Sequence, residues 1–163
     1  MVFQSLKEWE KINEIGDASA DSFPFQYDGK SNKEFGRDTY FYSFIAGGDK
    51  YISVFIERQS DEEKYYEYHY NREGKDGTEI INRGHLFKIM ATNTRIIKDF
   101  IKKENVDNLI ISGDTGGKVV KGMQSRLKLY SAYLDKNMIT GYDYLIFRGE
   151  DDDIENILIR RKK

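Results

Sequence analysis

The chain contains no cysteine. Disulfide frameworks, thiolate metal sites and cysteine nucleophiles are therefore excluded together, and a reducing compartment is the natural setting. Histidine is nearly absent as well. His69 and His85 are the two copies, and neither HxxxH, HExxH nor a facial-triad spacing surrounds them, so no metal centre is expected. No apolar run approaches the length that spans a bilayer. Met1-Val2-Phe3-Gln4-Ser5 lacks a charged segment leading into an apolar stretch, so the expectation is an intracellular protein with no membrane partner. Excess charge of one sign is also lacking: 26 Lys and Arg face 28 Asp and Glu, for a formal charge of −2. Basic residues are dispersed apart from Arg160-Arg161-Lys162-Lys163, and without a basic stripe nucleic acid is not an expected partner.

What is present is aromatic. Twelve Tyr and ten Phe in 163 residues favour pleated, half-buried surfaces and hence antiparallel sheet. The length suits one domain able to bury its own core.

Ser5 and Glu8 have capping-box spacing, and Leu6, Trp9, Ile12 and Ile15 form an apolar ridge, predicting an N-terminal helix over 5–15. A polar linker follows, so residues 1–22 read as helix and linker and 23–163 as a single domain. Thr39 to Ala46, Lys50 to Arg58 and Tyr65 to Tyr70 alternate as strands, and Gly47-Gly48 is a hairpin turn signal. Tyr66, Tyr68 and Tyr70 share one face of the third strand, opposite Tyr65, Glu67 and His69. Because tyrosine is common in binding surfaces, Tyr66, Tyr68 and Tyr70, with Trp9 of the first helix, are candidate interaction residues.

Helical periodicity then runs from Gly84 to Lys103 and from Lys118 to Lys136, separated by the apolar run Asn108 to Ser112. Tyr142 to Arg148 and Ile154 to Arg160 complete the strands, and a short extra one is expected at Glu79 to Asn82. The result is an α/β (α+β) domain, a mixed and mostly antiparallel sheet with helices on its faces, in the order β-β-β-(β)-α-β-α-β-β.

Several chemistries fail on spacing. Asp61-Glu62-Glu63 and Glu150-Asp151-Asp152-Asp153 lack the alternating ligands and turn glycine of calcium loops. Gly113-Asp114-Thr115-Gly116-Gly117-Lys118 lacks phosphate-loop spacing, because Val119 follows the lysine. No nucleophile elbow is visible.

This order of elements resembles the GNAT acyltransferase superfamily. In that family a glycine turn at a helix start holds the pyrophosphate of acetyl-CoA on free backbone amides. The corresponding stretch here is Asn82, Arg83, Gly84, His85 and Leu86. Gly84 matches a family glycine, while Leu86 replaces a small residue and Ile81 an Arg or Gln. Gln124-Ser125-Arg126-Leu127-Lys128-Leu129-Tyr130 resembles the family helix whose tyrosine protonates the departing thiolate. The resemblance implies Tyr130, or Tyr133 in a shifted register, as general acid, a role that a mostly protonated phenol suits.

The chain is also similar to a group of tailed-bacteriophage proteins. The landmarks are Pro24-Phe25-Gln26-Tyr27, Phe87-Lys88-Ile89-Met90-Ala91-Thr92, Ile97-Lys98-Asp99-Phe100-Ile101, Leu109-Ile110-Ile111-Ser112 and Gly141-Tyr142. The resemblance implies a GNAT-like fold and a phage protein, in the host cytoplasm or associated with the virion. With the pyrophosphate turn altered, the expectation is a non-catalytic module that binds a host or virion protein, with self-association also open. The alternative is an acetyl-CoA-dependent N-acyltransferase acting on a small-molecule or protein amine.

Overall fold

A computed structural model describes residues 22–32, 36–73, 86–112, 114–115, 118–119, 121–136, 139–149 and 154–163. Seven strands form one sheet: β1 (Gln26–Ser31), β2 (Thr39–Ala46), β3 (Asp49–Ser60), β4 (Glu63–Arg72), β5 (Asn108–Ser112), β8 (Tyr142–Arg148) and β9 (Ile154–Arg161). Their spatial order is β1-β2-β3-β4-β5-β9-β8. All neighbours are antiparallel except β4 and β5. That parallel pair is joined through helix α1 (Leu86–Glu104), because parallel strands need a long crossover. A two-stranded ribbon, β6 (Asp114–Thr115) with β7 (Lys118–Val119), precedes helix α2 (Lys121–Lys136).

Local chemistry accounts for the junctions. Gly47 and Gly48 sit between β2 and β3 with φ of 59° and 84°, and two positive φ values are what a type I′ hairpin turn requires. Helix α1 places Lys102 and Lys103 in its last turn, where cations favour the dipole. It ends at Asn105, whose φ of 51° is left-handed, and the Val106 N–H returns to the Ile101 carbonyl at 3.1 Å. This is a Schellman closure, and both residues that it joins, Ile101 and Val106, are buried.

The core lies between the sheet and the two helices. Phe100 of α1 stacks on Phe55 with ring centroids 4.0 Å apart and meets Tyr40 and Tyr66 edge-on at 5.0 and 5.1 Å. Ile89, Met90, Ile96, Ile97 and Ile101 complete the helix's buried stripe. From α2, Tyr130 packs edge-on against Tyr68 and Tyr70, and Tyr144 of β8 donates to Asp135. Both described helices thus cover the same face of the sheet. Among the described residues, no helix covers the other face.

The expected GNAT-like α/β architecture is corrected. A seven-stranded sheet with strands of up to 12 residues dominates, against two helices of 19 and 16 residues. The helices are layered on one face rather than distributed over both. The excess of aromatic residues explains this, since one helical layer is enough to bury the Tyr-rich side of β2, β3 and β4. Strand β1 follows Pro24 without a sequence signal of its own, and Asp114–Thr115 and Lys118–Val119 form the β6–β7 ribbon. The predicted N-terminal helix, with Trp9, and the short strand at 79–82 lie outside the described residues.

Candidate functional site

The residues implied as catalytic lie inside the core. Tyr130 is 2% exposed, and its hydroxyl donates to the Tyr68 hydroxyl at 3.4 Å. Tyr68 in turn shares a 3.0 Å bond with Ser53, whose Oγ donates to Asn93 Oδ1 at 3.4 Å. This is a buried polar chain linking β3, β4, α1 and α2. Tyr133 is also buried, and its hydroxyl donates to the Phe87 carbonyl at 3.0 Å, tying α2 to the first turn of α1. Both hydroxyls are thus engaged within the core. Asn82, Arg83, Gly84 and His85 lie outside the described residues, and Leu86 opens α1.

The tyrosines proposed as an interaction surface are likewise interior. Tyr66, Tyr68 and Tyr70 are 4%, 1% and 9% exposed. Each finds a partner inside: Tyr68 as above, Tyr70 on Met90 Sδ at 3.6 Å, and Tyr66 beneath Phe100 with the Lys64 ammonium 5.6 Å above its ring. Burial pushes the Tyr66 phenol above its ordinary pKa, against the lowering pull of Lys64.

The opposite face of the same strands carries the accessible chemistry. Register places Tyr65, Glu67 and His69 of β4 beside Arg58, Ile56 and Val54 of β3, with Glu67 opposite Ile110 of β5. Farther across, Ile110 pairs with Leu158 and Ser112 with Asn156, and these β9 residues pair with Leu145 and Phe147 of β8. On this face Leu145 is 37% and Phe147 48% exposed, large apolar side chains that solvent does not favour.

Between these strands is a concavity of about 370 Å³. It is lined by Tyr65 and Glu67 from β4, Ile110 and Ser112 from β5, Phe147 from β8, and Asn156 and Leu158 from β9. Among the described residues its charged lining group is Glu67. The Oε2 atom of this carboxylate accepts from Arg58 at 3.5 Å and faces His69 Nε2 at 3.2 Å. Among the described residues no donor reaches its Oε1, and Arg58 Nε is buried without a partner.

Sequence reasoning separated the two faces of β4 but chose the tyrosine side as the surface. The signal for the other side was the pair Glu67 and His69, polar residues alternating with tyrosines on an interior strand. Among the described residues, no group of three or more His, Asp and Glu could hold a metal ion, and no helix is long and apolar enough to cross a membrane. Compared with family models, curated proteins and solved structures, the chain matches none.

Proposed function

We propose that the protein is a non-catalytic binding module that docks a protein partner on the face of its sheet opposite α1 and α2, around the concavity. One observation carries this reading: Leu145 and Phe147 stand 37% and 48% exposed beside that concavity, on a strand whose alternate residue Tyr142 is buried in the core. Apolar side chains grouped beside a concave, partly polar floor are the usual composition of a docking surface. The partner is a host or virion protein, in keeping with the resemblance to tailed-phage proteins.

The test pairs capture with reconstitution. A partner captured from infected cells is purified and titrated against the wild-type chain and a Leu145→Ser, Phe147→Ser variant. Loss of at least about tenfold in affinity is expected, since two partly desolvated apolar anchors contribute on the order of 1–2 kcal/mol each. Equal affinity for both forms overturns the assignment of this face. Calorimetry with acetyl-CoA, followed by an acyl-transfer assay on amines, runs in parallel. Binding with turnover would replace the non-catalytic reading by the acyltransferase one.

A further inference from the structure

We infer that the concavity is a site for a protonated primary amine on an apolar stem, carried either by a free alkylamine or by a lysine side chain of the partner. The inference rests on the reading of this face as the working surface and names the chemistry it recognises.

The argument begins with Glu67. A carboxylate offers about four lone-pair sites. Here both contacts fall on one oxygen, Arg58 at 3.5 Å and His69 at 3.2 Å. These are long beside the 2.7–2.9 Å that charge-assisted bonds usually reach. Glu67 is thus held by Arg58 of β3 and His69 of its own strand and is not saturated, with Oε1 left for a further donor. Its side chain is 28% exposed, so the charge is partly desolvated and an approaching cation is screened less than at an open surface.

The remaining lining fits a cation with an aliphatic body. Tyr65 and Phe147 contribute aromatic rings, which attract ammonium groups by their quadrupole. Ile110 and Leu158 contribute the apolar wall that a methylene stem covers. The side-chain oxygen of Asn156 is a second acceptor for an ammonium with three N–H groups. A carboxylate or phosphate ligand would meet Glu67 with like charge, and a neutral alcohol would leave Oε1 without a charged donor. The volume of about 370 Å³ lies near the lower end of small-molecule sites and accommodates a short alkylamine.

The experiment is an amide-resolved NMR titration of the full chain with n-hexylamine, n-hexanol and hexanoate at equal ionic strength. Hexylamine is expected to shift the amides of Glu67, Ile110 and Asn156, with affinity about tenfold above hexanol and no saturable effect of hexanoate. Glu67→Gln is expected to reduce the hexylamine affinity about tenfold, to the level of hexanol. Phe147→Ala, at a half-exposed position where folding is not at stake, should weaken it several-fold. Equal binding of all three probes, absence of shifts with hexylamine, or indifference to Glu67→Gln would each overturn the inference.

A second arm compares Nα-acetyl-lysine amide with its Nε-acetylated form. Selective binding of the unmodified lysine identifies a protein source. Selectivity for hexylamine without measurable lysine binding identifies a free amine and supports the same chemistry. If amine binding persists while the Leu145→Ser, Phe147→Ser variant holds its protein partner unchanged, the docking reading fails and this inference stands. If the partner is lost on that substitution while hexylamine never binds, the inference fails alone.

Discussion

Phe55 and Val54 are adjacent on β3 and inhabit different surroundings. Phe55 is fully buried against Phe100, Tyr42 and Tyr68, whereas Val54 is half-buried beside His69 on the face opposite α1 and α2. The same contrast repeats along β4, where Tyr66, Tyr68 and Tyr70 lie under the helices and Tyr65, Glu67 and His69 lie on the other side. The covered face is aromatic, and its tyrosine hydroxyls are bonded internally, while Asn93 Nδ2 is buried there without a partner. The other face mixes apolar side chains with a charged cluster. Substitutions on the covered face should act on stability, and those on the proposed docking face on binding.

Phe100→Ala is the most damaging expected change, because this ring meets aromatics of three strands, Tyr40 of β2, Phe55 of β3 and Tyr66 of β4. A loss of about 3–5 kcal/mol in urea unfolding is expected. Alkaline pH should weaken the covered face next. Burial, first among the causes, raises the phenols of Tyr40, Tyr42, Tyr66, Tyr142 and Tyr144. Asp99 adds to the effect at Tyr42 by accepting its hydroxyl at 2.8 Å, and Asp135 adds to it at Tyr144, which is pushed up to about 12.

A raised phenol pKa means that the neutral form is favoured in the folded state. The associated stability is complete below the unfolded value near 10 and is lost as pH climbs toward about 12. Denaturant midpoints should therefore fall across that window, and Tyr144→Phe should make the fall shallower.

Tyr68→Phe removes the hydroxyl that links Ser53 to Tyr130. It should cost on the order of 1–2 kcal/mol, measured by the same unfolding curves. Smallest in stability is Phe147→Ser, within about 0.5 kcal/mol of wild type, while its effect on partner affinity should exceed that of Tyr68→Phe. A Phe147→Ser protein that unfolds as readily as Phe100→Ala would break the division between faces.

Three strands were legible with the bounds observed: Thr39–Ala46 from alternation and its turn glycines, Asn108–Ser112 from its continuous apolar run, and Tyr142–Arg148. Period-two alternation assigns residues to faces without saying which face is inside, and here the hydroxyls misled. Tyrosine tips suggested a surface, yet Ser53, Met90 and Tyr130 supply interior partners to Tyr68 and Tyr70, and a satisfied hydroxyl is as compatible with the core as a phenyl ring. The layering was not legible either, because helical periodicity shows that α1 and α2 each bury a stripe but not that both bury it on one side.

The concavity could not be read from the sequence. Its residues run from Tyr65 to Leu158 and come from four strands. Only the parallel pairing of β4 with β5, and the insertion of β9 between β5 and β8, bring them together.

Both outermost pairings carry a break in register, at Asp28 of β1 in one and at Glu155 of β9, opposite Phe147 and Arg148, in the other. In β1 the break falls where Gly29 takes a φ of 117°, a backbone shape that a residue with a Cβ rarely adopts. Such kinks interrupt the regular row of amide and carbonyl groups that another chain's strand would zip onto. A rim kinked in this way is a poor template for edge-to-edge pairing with a second sheet.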